Sequence, residues 1–90
     1  MKFSKNYPNP FNPTTSIQYD LPEMAYVSIS IYDIRGRELK TLVNAEQVAG
    51  FKSVRWNATD NKGKPVSAGI YLYMIQTESF RQVKKMALVK

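Results

Sequence analysis

Apolar side chains fall at every second position through most of this chain, a period that fits strands and leaves little room for helix. Ile17, Tyr19 and Leu21 alternate with Ser16, Gln18 and Asp20 until Pro22 ends the run, as in a strand with one face buried and the other wet. Val27, Ile29 and Ile31 alternate in the same way with Ser28, Ser30 and Tyr32. Arg35-Gly36 follows as a tight turn, glycine supplying the positive φ, so a third strand starts at Arg37 and closes a hairpin. Leu39 to Val43 has apolar residues at 39, 42 and 43, which fits neither period and predicts a bulge or strand end near Thr41. Ala45 to Gly50, six residues closed by glycine, reads as a loop. Phe51 to Asn57 is the next strand, with Val54 and Trp56 on one side. Asp60-Asn61-Lys62-Gly63 is a turn, and a short strand around Pro65 to Ser67 precedes Gly69. Ile70 to Thr77 carries Tyr71 and Tyr73 on one side and Ile70, Leu72 and Met74 on the other, which predicts a central strand with both faces covered or nearly so. After a turn at Glu78-Ser79, Phe80 to Val89 forms the last strand.

Seven short strands separated by turn chemistry predict an all-β fold, an Ig-like antiparallel β-sandwich. Its expected core is Ile17, Val27, Ile29, Ile31, Val54, Trp56, Leu72 and either Tyr71 or Tyr73. Without cysteine the disulfide pattern of antibody domains is missing, so the expectation concerns architecture only.

Ahead of the first of these strands lies a different kind of segment. Asn6-Tyr7-Pro8-Asn9-Pro10-Phe11-Asn12-Pro13 places three prolines and three asparagines within eight residues. Each proline fixes φ near −65° and biases the residue before it toward extended conformations, so helix is excluded and a stiff leader results. Residues 1–13 therefore read as linker and leader, and 14–90 as the sandwich. Composition alone also fits a Pro-rich interdomain linker. Tyr7 and Phe11 favour a leader clipped onto the domain, because anchoring one ring of a stiff segment lowers the entropy cost of anchoring the other.

Composition removes several classes of function. Ninety residues allow one modest core, and a chain of this size buries roughly 60–65% of its unfolded surface. No apolar stretch approaches the roughly 18 residues of a membrane helix, so the chain is expected not to be membrane-embedded. Met1 to Lys5 carries charge but no apolar core of a signal peptide. The balance of 13 basic to 7 acidic residues gives a net charge of +6, which raises nucleic acid as a partner. The distribution argues against it: Arg35, Arg37, Lys40, Lys52, Arg55, Lys62 and Lys64 are spread over turns and alternating positions. Arg81, Lys84, Lys85 and Lys90 alone cluster, a placement suited to protecting an exposed edge strand.

Histidine and cysteine are both absent, which excludes nucleophilic triads built on them, imidazole acid–base chemistry and thiolate or imidazole metal sites. The carboxylates Asp20, Glu23, Asp33, Glu38, Glu46, Asp60 and Glu78 remain, but glycoside hydrolysis needs two of them across a cleft that a small sandwich has little volume to form. The chain is therefore expected to be no enzyme, with no cofactor and no small-molecule substrate. Asn57, Thr59, Asp60 and Asn61 offer oxygens in one loop, yet lack the spacing of an EF-hand, and Asx-turn chemistry accounts for them. Trp56, Tyr71 and Tyr73 are in phase with buried aliphatics, which assigns them to the core and leaves Tyr26 and Tyr32 as the aromatic residues free for sugar binding.

Four further segments complete a pattern begun by the leader: Ile31-Tyr32-Asp33-Ile34-Arg35-Gly36-Arg37, Trp56-Asn57-Ala58-Thr59-Asp60-Asn61-Lys62-Gly63, Ala68-Gly69-Ile70-Tyr71-Leu72-Tyr73 and Lys85-Met86-Ala87-Leu88-Val89-Lys90. In this order, from about Asn6 to Lys90, the chain resembles the type A C-terminal sorting domain of proteins exported by the type IX, or Por, secretion system. It is also similar to the Ig-like domain of flagellar hook-capping proteins. The chain departs from the family pattern at Asn57-Ala58, where an Asp-Gly pair usually follows the tryptophan. The resemblance implies the end of a longer exported precursor, passing through the periplasm to the cell surface or medium. It implies recognition by the outer-membrane translocon and removal by its sortase, with cleavage at or upstream of Asn6. It places recognition in Lys85, Met86, Ala87, Leu88, Val89 and Lys90, a terminal strand suited to strand addition. A structural scaffold domain and a carbohydrate-binding accessory module are the alternatives.

Overall fold

In a computed structural model, residues 4–89 are described, and they form seven strands and no helix. The strands are β1 Ser4–Tyr7, β2 Thr15–Leu21, β3 Ala25–Asp33, β4 Glu38–Gln47, β5 Gly50–Trp56, β6 Gly69–Gln76 and β7 Arg81–Leu88. They make two sheets, ordered β1-β2-β5 and β4-β3-β6-β7, with every neighbouring pair antiparallel. The sheets face each other across the alternating apolar positions. Ile17, Tyr19 and Leu21 come from one; Val27, Ile29, Ile31, Tyr71, Tyr73, Ile75, Met86 and Leu88 come from the other. Trp56 closes one end, its ring centroid 5.7 Å from Phe11 and 5.4 Å from Tyr71, and its indole N–H donates to the Thr59 carbonyl at 2.8 Å.

The seven strands are not the seven of the sequence pattern. Pro65 to Ser67 is no strand; Thr59 and Pro65 share a single bridge, and proline cannot donate to a ladder. Ser4–Tyr7, expected in the leader, is a strand paired with Tyr19 to Ser16. The loop expected from Ala45 is instead the end of β4, because Ala25, Tyr26 and Val27 pair with Gln47, Glu46 and Ala45. Tertiary pairing overrides a weak local preference there. The broken period at 39–43 has a direct cause. The β3–β4 register shifts between Ile29 and Ser30 and between Ile31 and Tyr32, so Leu42 and Leu39 are extra residues. Each bulge resets the alternation, and Leu39, Leu42 and Val43 all reach the core margin.

Three core assignments change as well. Tyr71 and Tyr73 are both buried. Val54 is half-buried because β5 is a sheet edge with no strand beyond it. Leu72 turns to the outer face of β6 with Met74, where both are half-buried, so the outer face of this central strand is not fully covered.

The turns follow the glycine and Asx chemistry of the sequence. Gly36 has φ +89° in the β3–β4 turn, which the Asp33 carboxylate organises by accepting the Arg35 and Arg37 amides and the Arg37 guanidinium. Asp60 does the same for Lys62 and Lys64. Ala58 has φ +62°, at the position where the sorting-domain pattern has glycine. A left-handed conformation costs an L-residue about 1–2 kcal/mol.

Two outcomes are expected from these turns. Replacing Ala58 by Gly removes the side-chain strain at the cost of unfolded-state entropy, and should raise stability by up to about 1 kcal/mol in a urea titration. An unchanged or lower midpoint would place the strain elsewhere. The pKa of Asp33 is lowered chiefly by the Arg37 amide, and that of Asp60 chiefly by the Lys64 amide. A lowered folded-state pKa gives stability that is complete above the ordinary aspartate value and lost as pH falls through the lowered one. The stability gap between the native chain and Asp33→Asn or Asp60→Asn should therefore close as pH falls through that window in acid titrations of melting temperature.

Candidate recognition surface

Strand β7 is an edge of the larger sheet, bonded to β6 on one side. Alternation gives its two faces different tasks. Met86 and Leu88 point inward and are buried, whereas Lys85 and Val89 are exposed and Ala87 is half-buried. Lys90, the last residue of the sequence-derived recognition segment, lies outside the described residues. The segment thus combines core and surface: its aliphatics hold the sandwich together, and its odd-numbered positions face outward.

The leader lies along the end of this strand. Phe11 donates its N–H to the Ala87 carbonyl and accepts from the Val89 N–H, both at 2.9 Å, in a parallel bridge centred on Leu88. Asn9 extends the contact by accepting the Ala87 N–H through Oδ1 at 3.1 Å. The Phe11 side chain is 1% exposed and belongs to the core. Behind it the leader is fixed by Thr15, whose hydroxyl donates to the Pro8 carbonyl at 2.9 Å and accepts from Asn6 at 3.2 Å. The peptide bonds before Pro8, Pro10 and Pro13 are cis. Tyr7, expected to dock beside Phe11, does not: its side chain is 72% exposed. Pairing in β1 explains this, because Ser4 and Asn6 take the inward positions and Lys5 and Tyr7 the outward ones.

A second contact ties β1 to β7 further along. The buried Ser4 hydroxyl donates to the Gln82 amide oxygen and meets the Tyr73 hydroxyl at 3.2 Å, while Lys84 Nζ donates to the Ser4 carbonyl at 2.5 Å. Burial raises the Tyr73 pKa, an effect partly offset by Ser4. Nothing in the alternation of Ser4 to Tyr7 signals this role. The buried serine can be placed only once Tyr73 is known to point inward.

The other candidate residues are spread over the molecule. Tyr26 is exposed, with its hydroxyl bonded to Asn44 Oδ1 at 2.8 Å, and Tyr32 is half-buried. Six residues along one strand separate them by about 20 Å, too far for one flat platform. In the 57–61 loop, Asn57 Oδ1 accepts the Thr59 hydroxyl at 2.6 Å and Asn61 Oδ1 accepts the Thr41 amide at 3.1 Å. With Asp60 turned to the Lys62 and Lys64 amides, these oxygens serve Asx turns and an inter-loop bond. Among the carboxylates, Glu23, Glu46 and Glu78 line an open depression at the far end of the sandwich. Among the described residues no three carboxylates are grouped closely enough to hold a metal ion.

Comparison with known proteins agrees with this fold. Residues 9–79 match the FlgD Ig-like domain family, whereas no curated protein matches the chain significantly. Among solved structures, dimeric latent PorU from Porphyromonas gingivalis is similar with a TM-score of 0.73 at 20% identity, over 96% of this chain and 9% of that one. PorZ, an essential bacterial surface component of the type-IX secretion system of the same organism, is similar with a TM-score of 0.67 at 24% identity, over 97% of this chain and 11% of that one. FlgD from P. aeruginosa gives 0.64 at 24% identity, over 82% of this chain and 57% of that one. This chain thus spans less than two thirds of each, and at these identities the shared property is the fold.

The leader contact makes a direct prediction. Phe11→Ala removes a buried ring that packs on Trp56 and should cost about 3–5 kcal/mol, whereas Asn9→Ala removes one exposed hydrogen bond of 3.1 Å and two long ones and should cost about 1 kcal/mol or less. Chemical denaturation measures both. Equal and negligible effects would mean that the sandwich closes without its leader.

Proposed function

The chain belongs to the FlgD Ig-like domain family, and we propose that within it this domain is a sorting domain of the type IX secretion system. In this role it is a cargo label and no enzyme. The outer-membrane translocon recognises it at the end of an exported precursor, and the associated sortase removes it. The observation that carries the reading is the position of the last strand. β7 fills the core with Met86 and Leu88 while turning Lys85, Ala87 and Val89 outward at a sheet edge, so the fold itself displays the segment in which the sorting-domain motif lies. Fold likeness to PorZ over nearly the whole chain supports the same reading. Recognition through an exported strand end requires an extracytoplasmic location and protein partners.

The leader refines the route. Backbone groups of Ala87 and Val89 are already bonded to Phe11, so a partner reading this end meets side chains and the leader together, with no free ladder to extend. Asn9 thereby joins Lys85, Ala87 and Val89 in one composite surface, with Phe11 buried beneath it.

A second reading rests on the family match itself and on the fold shared with FlgD: a structural Ig-like domain that serves as a scaffold in an assembly. The two readings differ in what the domain does to an unrelated protein. Fused to the end of a periplasmically delivered reporter in a host with a type IX system, a sorting domain brings the reporter to the surface or medium, and a scaffold domain leaves it in the periplasm. Deleting 85–90 should trap the reporter, but it also removes Met86 and Leu88 from the core. The cleaner variant is Lys85→Ser with Lys90→Ser, which keeps Met86 and Leu88 and should leave the melting temperature within about 2 °C, since an exposed charge such as Lys85 contributes little, while reducing export. Unchanged export would remove the two lysines from the signal, and export independent of the whole domain would overturn the sorting role.

A further inference from the structure

The half of β7 that the leader does not reach carries its own arrangement. Ala87 directs its backbone groups away from β6, toward Asn9 and Phe11. In an antiparallel strand every second residue does the same, so Arg81, Val83 and Lys85 also turn their N–H and C=O groups to that side. Among the described residues no strand pairs with Arg81 or Val83 there, and Lys85 has only a long 3.5 Å contact from the Asn9 amide to its carbonyl. The inward residues between them, Gln82 and Lys84, are held by Ser4, which attaches this half of the strand to β1 while no described strand takes up its outer ladder.

Side chains of the open half alternate in a defined order. Arg81 and Lys85 are exposed and flank Val83, which is 50% exposed. Val83 pairs with Met74 and Lys85 with Leu72, and Leu72, Met74, Val83 and Arg81 line a shallow apolar depression with Tyr32 and Gly36. A strand added here would place three side chains on the outer face, opposite Arg81, Val83 and Lys85. The middle one meets valine beside an apolar depression. The outer two meet cations.

We propose that the edge from Arg81 to Lys85 is a docking site for an extended segment of a partner protein in which an apolar residue lies between two acidic ones at alternate positions. The chemistry selects against a second copy of this chain. In a two-fold antiparallel pairing centred on Val83, Arg81 of each copy would lie opposite Lys85 of the other, and like charges directly opposed in a ladder are destabilising. Acidic residues in the same places convert both repulsions into attractions, while main-chain hydrogen bonds supply the sequence-tolerant part of the binding. The proposal deepens the reading of β7 as the recognition strand and rests on it.

The test titrates the full chain with a blocked heptapeptide that alternates threonine with glutamate, valine and glutamate, and with its counterpart carrying lysine for glutamate. NMR reads the amides of Arg81, Val83 and Lys85. The acidic peptide should bind about tenfold more tightly than the basic one at low salt, with the difference shrinking at high salt. Arg81→Glu with Lys85→Glu should reverse the preference, and Val83→Pro, which removes an edge N–H facing away from β6 together with the half-exposed valine side chain, should abolish binding with the melting curve retained. Equal affinities, or shifts confined to other faces, would overturn the proposal. So would sedimentation as a dimer that Val83→Pro dissociates, since the occupant would then be a second copy. Peptide preference without export of a fused reporter would keep the docking edge and remove the sorting role; export without peptide preference would do the reverse.

Discussion

The structure depends on the burial of one phenylalanine that arrives from outside the alternating strands. Phe11 inserts its ring against Trp56, which in turn meets Tyr71 edge-on, and the same residue's backbone bonds to Ala87 and Val89. One residue therefore joins the leader, the end of β5, the start of β6 and the end of β7. A sandwich of 90 residues without a disulfide has a small core and few ways to hold its chain ends. Here the leader and the last strand hold each other. Ser4 repeats the device at the other end of the same seam, through Tyr73, Gln82 and Lys84.

This closure shapes what the surface can do. An edge strand is a template for pairing with other chains, and folded proteins limit that hazard by covering it or charging it. β7 uses both means on different halves: the leader covers Ala87 to Val89, and Arg81, Lys84 and Lys85 charge the rest. At the opposite edge of the sheet the 57–65 loop covers the start of β4, with Asn61 donating to the Leu39 carbonyl and accepting from the Thr41 amide. Selective protection of β7 leaves a short stretch where pairing is possible only for a chain of suitable charge. A signal carried by such a strand tolerates variation elsewhere in the domain, since its information resides in one edge and the leader beside it.

Much of the fold was legible because burial and period agree. Ile17, Val27, Ile29, Ile31 and Trp56 are buried where the alternation puts them, and the architecture follows from that pattern. The places that failed share a cause: their conformation is set by a partner distant in sequence. Leu39 and Leu42 look aperiodic until the register of β3 makes them bulges. Ser4–Tyr7 has no apolar face to announce a strand, and pairing with β2 alone makes it one. Tyr7 and Phe11 look equivalent in an extended leader, but once β1 is in register the first must point to solvent. The last strand was legible as a strand, whereas its bond to the leader was not, because a main-chain contact between residues 11 and 87 leaves no mark in side-chain composition.

Native-state amide hydrogen exchange tests the central claim, that leader and last strand close the sandwich as one cooperative unit. If they do, the amides of Phe11 and Val89, which bond across the seam, exchange only through the same global opening that exposes Tyr73 in the middle of the sheet, and so with a similar free energy. Exchange of Phe11 and Val89 at rates near those of an unstructured peptide, with Tyr73 still protected, would contradict it and leave the leader a passive tether.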